Sequence, residues 1–153
     1  MAILDQSVYR GSIKLYGSAL MKVDGGCHCG AIRYEAEVDP ETVSICHCTD
    51  CQQLSGSPYR GSVPAPSATF RLLAGNPSIY IKTADSGAKR AQAFCGLCGT
   101  PIYAAAPENS PTYNLRLGSV RQRAQLQPRK QIWRTSAMPW AQNIALLPGP
   151  QKG

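Results

Sequence analysis

The chain contains 153 residues, of which 43% are hydrophobic and 16% are charged, and this composition excludes an intrinsically disordered chain and fits one domain. No stretch approaches the roughly 18 uncharged apolar residues that a membrane-spanning helix needs, so we expect no membrane span. The formal net charge of +7 suits an anionic small molecule or a nucleic acid and does not discriminate between them.

The two ends of the chain are expected to lie outside the folded domain. Residues 1–20 have no clear hydrophobic period and are predicted to form a disordered leader, and residues 143–153 are predicted to form a loose tail. The folded domain is therefore expected to span residues 21–142. Asp5, Arg10 and Lys14 interrupt any apolar signal segment, so we expect a cytoplasmic protein.

Alternation of apolar and polar residues predicts short strands along most of the chain. In Ala31–Glu37 the side chains of Ile32, Tyr34 and Ala36 share one face. One helical turn is predicted over Asp50–Leu54. Further strands are predicted, in chain order, over Thr42–Ile45, Thr69–Leu73, Ser78–Thr83, Arg90–Phe94, Thr100–Ala104, Thr112–Leu117 and Gln131–Arg134.

Turn residues connect some of these strands. The segment Ala74–Pro77 is predicted to join its two flanking strands as a hairpin, and Asp85–Gly87 is predicted to turn the chain back into the strand that ends at Phe94. The pattern as a whole predicts an all-β domain of about eight to ten short, antiparallel strands.

All seven cysteines fall in three short clusters, Cys27–Cys29, Cys46–Cys51 and Cys95–Cys98. Cysteines that only fill a core would be scattered, whereas metal ligands cluster. Two cysteines at i and i+2 of an extended segment point to the same side, and a C-x-x-C turn beside glycine brings two sulfurs to one ion. Soft thiolate ligands favour Zn²⁺ over Mg²⁺ or Ca²⁺, with iron as the main competitor.

The cysteine count predicts two unequal zinc sites. One C-x-C pair and one C-x-x-C pair complete a closed, structural site, and the three remaining cysteines leave one coordination position open, as in catalytic zinc. Water, a substrate thiol, His47 or Asp50 could take that position. His28 and His47 each lie between two cysteines, where the middle residue of a strand points away from the metal. The count alone does not fix which pairs share an ion.

Other uses of the cysteines stay open on spacing alone. Two purely structural zinc sites are one alternative, and a redox-active pair at Cys95/Cys98 or Cys48/Cys51 is another. The odd number of cysteines and the expected reducing compartment argue against disulfides. The spacings match no common ferredoxin pattern, which argues against an iron–sulfur cluster.

Three motifs carry a resemblance to a known family. They are Gly25-Gly26-Cys27-His28-Cys29-Gly30, Cys46-His47-Cys48-Thr49-Asp50-Cys51 and Phe94-Cys95-Gly96-Leu97-Cys98-Gly99-Thr100. Together they resemble the glutathione-dependent formaldehyde-activating enzyme family, which includes centromere protein V, and Ile132–Trp140 is similar to its closing strand and Pro-Trp pair. The resemblance covers about residues 22–141 and implies the Mss4-like fold, in which antiparallel sheets of short strands are stapled by zinc.

The resemblance also implies residue roles. The structural zinc would bind Cys27, Cys29, Cys95 and Cys98, and the catalytic zinc would bind Cys46, Cys48 and Cys51. The loop after the catalytic cysteines supplies the predicted substrate-binding residues Ser55, Gly56 and Arg60. Arg60 is the first candidate to pair with a substrate carboxylate, and Arg134 is a weaker one. The chain departs from the family at Gln131, where a histidine is common.

The implied function is that of a zinc-dependent, carbon–sulfur lyase-like enzyme that adds glutathione or a similar thiol to formaldehyde or another small aldehyde. The first alternative is a non-catalytic zinc module for protein or nucleic acid, supported by the basic residues between Arg116 and Arg134. Trp133 is the only aromatic residue in that segment, which disfavours a platform for stacking nucleic-acid bases. The second alternative is a thiol sensor that uses the Cys46–Cys51 segment.

Overall fold

In a computed structural model of the chain, residues 19–151 are described, and ten strands in this range form two sheets. The strands are β1 (Met21–Gly26), β2 (Arg33–Val38), β3 (Ser44–Cys46), β4 (Arg60–Pro66), β5 (Arg71–Ala74), β6 (Ser78–Thr83), β7 (Lys89–Phe94), β8 (Pro101–Ala105), β9 (Thr112–Arg116) and β10 (Lys130–Ile132). One α-helix, α1, covers Thr49–Ser55, and short 3₁₀ segments cover Pro40–Thr42, Leu117–Ser119, Arg123–Gln125, Arg134–Ser136 and Pro139–Leu146.

The small sheet has the strand order β1-β2-β5, and the large sheet has the order β10-β3-β4-β9-β8-β7-β6. Neighbouring strands are antiparallel throughout, except that β10 runs parallel to β3. The prediction of a mostly antiparallel all-β domain is confirmed. None of the helices between residues 19 and 151 has the length and apolar character needed to cross a membrane.

The hydrophobic core lies between the two sheets. Ile32, Tyr34 and Ala36 are all buried, as the alternation along β2 predicts. The large sheet contributes Val63, Ala65, Ile102 and Leu115 to the same cluster. The Tyr34 hydroxyl lies 2.8 Å from the Ser119 hydroxyl, so the phenol keeps a hydrogen bond inside the core.

The predicted hairpin through Ala74–Pro77 is wrong. Strand β5 pairs with β2 in the small sheet, whereas β6 pairs with β7 in the large sheet, so this segment crosses between sheets. Gly75 has φ +75°, and a Cβ atom there would lie 2.3 Å from the carbonyl oxygen of Ala31. The turn at Asp85–Gly87 is confirmed, because it closes the β6–β7 hairpin. Alternation identifies a strand, but it does not name the strand's partner.

Two strands were not predicted from the sequence. Strand β1 ends in two glycines, and β4 contains Gly61, Pro64 and Pro66. Proline argues against a strand inside a sheet because it has no N–H to donate. Nevertheless β4 lies between β3 and β9, and its apolar residues Val63 and Ala65 are buried.

The predicted domain boundaries stay predictions. Residues 1–18, most of the predicted leader, lie outside the described residues, as do residues 152 and 153. At the other end, the 3₁₀ segment Pro139–Leu146 runs across the boundary predicted at residue 142.

Candidate metal centres and active site

Four cysteines from two distant turns meet at one point. Cys27 and Cys29 lie in the turn between β1 and β2, and Cys95 and Cys98 lie in the turn between β7 and β8. Their sulfur atoms all lie within 4.8 Å of one another. The Cys27 and Cys29 sulfurs are 3.5 Å apart, and those of Cys29 and Cys95 are 3.8 Å apart. Four sulfurs bound to one tetrahedral ion at about 2.3 Å would be separated by about 3.8 Å. The donor set therefore fits zinc.

Local hydrogen bonds favour ionised sulfur at two members of this group, Cys27 and Cys98. The Ile32 N–H donates to Cys27 Sγ at 3.2 Å. The Thr100 hydroxyl lies 3.2 Å from Cys98 Sγ and also accepts from the His28 N–H at 3.0 Å, so it joins the two turns. Hydrogen bonds from the side chain and backbone of Thr100 lower the pKa of Cys98 to about 5. A thiolate at neutral pH is the form that binds metal.

The second group comes from one continuous segment. Cys46 ends β3, Cys48 caps the N-terminus of α1, and Cys51 lies in the first turn of that helix. The three sulfurs lie within 4.8 Å of one another. The Cys51 N–H donates to Cys48 Sγ at 3.4 Å. The structure thus brings together the three residues predicted to form the open site.

The sulfurs of this group oppose one another's ionisation. Burial, followed by the neighbouring thiols Cys46 and Cys48, raises the pKa of Cys51 to about 12. For Cys48, burial opposes ionisation, but the Cys51 N–H and the other thiols outweigh it and lower the pKa. Three crowded thiols can all ionise only with a cation among them. The group therefore fits a metal ion as its counter-charge.

Hydrogen bonds to the C-terminal part of the chain hold the segment that carries the three cysteines. Gln52 Nε2 donates to the carbonyl oxygens of His47 at 2.7 Å and Ser136 at 2.9 Å. The His47 N–H donates to the Ile132 carbonyl at 3.0 Å, in line with the parallel pairing of β3 and β10. The helix that carries Cys51 is therefore held by contacts that need no metal.

The two histidines have different environments. His28 is exposed at the surface. His47 is buried, with Nε2 2.8 Å from Gln131 Oε1 and its ring edge-on to Tyr59. Neither joins the sulfur groups found among residues 19–151. Asp50, the other candidate for the open position, instead forms an ion pair with Lys82 of β6, and this contact raises the pKa of Lys82.

The predicted substrate-binding residues differ in burial and in the contacts that they make. Arg60 is buried on β4, directly opposite Cys46 in the β3–β4 register. The Ser55 hydroxyl donates to the Cys51 carbonyl at 2.6 Å, so its proton is engaged within the helix. Gly56 is exposed and ends the helix at φ +64°. Glycine is favoured at this position because the backbone is left-handed there. Arg134 is exposed on the 3₁₀ segment after β10.

A cavity of about 770 Å³ is lined by neighbours of both cysteine groups, although its lining includes none of the cysteines themselves. Thr100, which contacts Cys98, lines one side of it, and Arg60, the partner of Cys46 in the sheet, lines another. Ser55 and Tyr59 also contribute to the wall. This volume falls in the usual range for small-molecule sites. The cavity thus has room for a small-molecule ligand next to Arg60, the sheet partner of Cys46.

Sequence reasoning missed two residues near this cavity. The sequence places Arg116 among the basic residues that support a binding module, but it lies on β9 and lines the cavity. Gln92 of β7 had no assigned role, yet its Oε1 accepts hydrogen bonds from both Arg60 and Arg116. Neither residue lies in a motif. Their only sequence signal is that alternation places them opposite the buried neighbours Leu115 and Ala93.

The comparisons agree with the resemblance that the cysteine motifs predict. A family model described as glutathione-dependent formaldehyde-activating enzyme matches residues 22–136. A Schizosaccharomyces pombe protein named as an uncharacterized lyase is 32% identical over 83 residues. The match covers 54% of this chain and 56% of that protein, so the chain spans about half the length of this curated relative.

A solved structure supports the fold. The crystal structure of a Rhodobacter sphaeroides protein is similar to this chain with a TM-score of 0.55, over 71% of this chain and 98% of that one, at 18% identity. At that identity the likeness concerns the fold alone. The family model, in contrast, matches well over half of the chain and covers all three cysteine clusters. The chain therefore belongs to the glutathione-dependent formaldehyde-activating enzyme family.

Proposed function

We propose that this chain adds a small thiol, such as glutathione, to formaldehyde or another small aldehyde, as a carbon–sulfur lyase-like enzyme of the S-(hydroxymethyl)glutathione synthase type. The observation that carries the proposal is the three-sulfur group of Cys46, Cys48 and Cys51, beside a cavity with a cationic wall. Three protein ligands leave room for a fourth from the substrate. Family membership and the lyase name of the yeast relative support the same class of reaction.

The metal assignment is part of this proposal. A structural zinc ion would be held by Cys27, Cys29, Cys95 and Cys98, and a catalytic one by Cys46, Cys48 and Cys51. When bound at the three-cysteine group, zinc supplies two kinds of chemistry, because it favours the deprotonated form of a thiol and can act as a Lewis acid. The Mss4-like arrangement belongs to the same proposal and is supported by the two-sheet fold.

The reaction forms one carbon–sulfur bond. The thiol sulfur attacks the carbonyl carbon, the carbon–oxygen π electrons move to oxygen, and the proton lost by the thiol ends on that oxygen. Because the thiolate is the nucleophile, a positive environment around the sulfur helps the step. Arg60 provides such an environment, since it is buried next to Cys46 and remains a cation at neutral pH. The Gln52 contacts keep the cysteine helix in place during the reaction.

The chain's contribution to rate must be separated from simple binding. Thiols add to formaldehyde without any enzyme, so an acceleration of tenfold corresponds to only about 1.4 kcal/mol of barrier. A protein that merely carries the adduct could then pass for a catalyst. The test therefore has to measure binding and the rate of adduct formation in the same samples.

The most direct test is a titration of the zinc-loaded protein with glutathione, with and without formaldehyde. Calorimetry measures binding, and exchange NMR with ¹³C-formaldehyde measures adduct formation at equilibrium. We expect saturable glutathione binding below about 1 mM, which corresponds to about −4 kcal/mol, and exchange faster than in buffer. The proposal fails if millimolar glutathione does not bind and the exchange rate equals that of the protein-free mixture.

A further inference from the structure

Two arginine side chains that line the cavity, Arg60 and Arg116, meet at one neutral acceptor, the side chain of Gln92. Gln92 Oε1 accepts from Arg60 Nη1 at 3.2 Å and from Arg116 Nη2 at 2.9 Å. Arg116 Nη1 donates to the Ser62 hydroxyl at 2.7 Å. The ion pairs found among residues 19–151 involve neither arginine. Two guanidinium cations therefore donate to one neutral amide oxygen, although a carboxylate would pair with them more strongly.

The donors of Arg60 are only partly used. Its Nε and Nη2 atoms are buried and have no hydrogen-bond partner within the described part of the chain. A buried charge without a partner costs several kcal/mol, so such a group normally has an anion to pair with. Burial and the charge of Arg60 lower the pKa of Arg116 to about 10. Arg116 thus still carries its charge at neutral pH.

The cavity wall offers no anion of its own. Its lining includes Arg60 and Arg116 but no aspartate or glutamate. The three thiolates of the cysteine group, with one divalent ion among them, would carry a net charge of −1 and offset one guanidinium charge. One positive charge is then left for a ligand. A single carboxylate has the matching charge and the matching planar geometry for guanidinium hydrogen bonds.

We propose that Arg60, Gln92 and Arg116 form a carboxylate-binding subsite, and that the neutrality of Gln92 makes the site specific for thiols that carry an acid group. Gln92 is a positioning residue, because it holds both guanidinium groups without neutralising them. A glutamate at this position would occupy the subsite from within the chain. The identification of the ligand as a thiol rests on the proposed function, whereas the subsite itself rests on the contacts of these three residues.

The test compares Gln92→Glu with Gln125→Glu, a matched change at an exposed glutamine on the 3₁₀ segment Arg123–Gln125. Calorimetry of the zinc-loaded proteins measures the affinities for 3-mercaptopropionate, which has a carboxylate, and for 2-mercaptoethanol, which has none. We expect the wild type and Gln125→Glu to bind the acidic thiol about 10- to 100-fold more tightly, the range of a charge-assisted hydrogen bond. In Gln92→Glu this preference should fall to about one.

The thermal unfolding of Gln92→Glu should occur at an equal or higher temperature than that of the wild type, because the new carboxylate pairs with two buried cations. If Gln92→Glu does not fold, Arg116→Gln replaces it and should lose the same preference. The subsite is refuted if the wild type shows no preference for the acidic thiol, or if the folded variant keeps it.

S-methylglutathione separates this inference from the proposed function, since it has carboxylates but no free thiol. If it binds the wild type at least tenfold more tightly than Gln92→Glu while no thiol is converted, the subsite stands and the reaction is wrong. If both mercaptans are converted equally well by wild type and variant, the reaction stands and the subsite is wrong.

Discussion

Replacing Cys95 with serine is expected to unfold the domain. Cys95 is buried in the core, and its group joins the β1–β2 turn to the β7–β8 turn, which belong to different sheets. Structural zinc sites contribute about 10–16 kcal/mol to folding, as much as the entire net stability of about 5–15 kcal/mol of a typical domain. Circular dichroism and the dispersion of amide NMR signals should both report a largely unfolded chain.

A chelator provides the control for this prediction. Removal of metal from the wild type should produce the same loss of structure as Cys95→Ser, and added zinc should restore structure only to the wild type. A Cys95→Ser protein that unfolds cooperatively within a few degrees of the wild type would show that the four-cysteine group does not hold the sheets together.

Replacing Cys48 with serine should abolish activity and leave the fold intact. Cys46, Cys48 and Cys51 lie in one short segment, so an ion bound there closes only a very short loop. It therefore removes little conformational entropy from the unfolded chain. The segment is also held by the Gln52 contacts to His47 and Ser136. We therefore expect a folded protein with amide signals close to those of the wild type away from α1, but without detectable acceleration of adduct formation.

Two comparisons make this second prediction specific. Cys48→Ser should retain one zinc ion per chain, while the wild type holds two. The control is Gln53→Ala, a change at an exposed position of the same helix that does not line the cavity, and we expect it to keep both the fold and the rate of adduct formation. The assignment of a structural role to the four-cysteine group and a catalytic role to the three-cysteine group would be wrong in either of two cases. Cys48→Ser could unfold as extensively as Cys95→Ser, or it could keep the full rate of adduct formation.

Clustering of the cysteines predicted two metal sites of unequal ligand number, but it did not predict which clusters share an ion. The pairs Cys27/Cys29 and Cys95/Cys98 are 66 or more residues apart, and only the family resemblance assigned them to one group. Arg60 was selected because it follows the cysteine segment. Its burial opposite Cys46 depends on the pairing of β3 with β4, and β4 was not predicted.

The partners of Arg60 could not be predicted for a related reason. Arg116 reaches the cavity from β9, and Gln92 contacts both arginines from β7; both strands enter the sheet through long-range pairings. Alternation defines the face of each residue, but it carries no information about which strand lies next to it. The same limitation explains the incorrect hairpin at Ala74–Pro77 and the unpredicted parallel pair β3–β10.

The central claim is that two metal ions serve different purposes, and the zinc content per chain tests it most directly. Mass spectrometry of the intact protein under non-denaturing conditions, with elemental analysis of the same sample, should find two zinc ions in the wild type and one in Cys48→Ser. Mild chelation should remove the ion of the three-cysteine group first, while the fold persists. A single tightly held ion in the wild type, with no second site at any zinc concentration, would contradict the account and the reaction proposed from it.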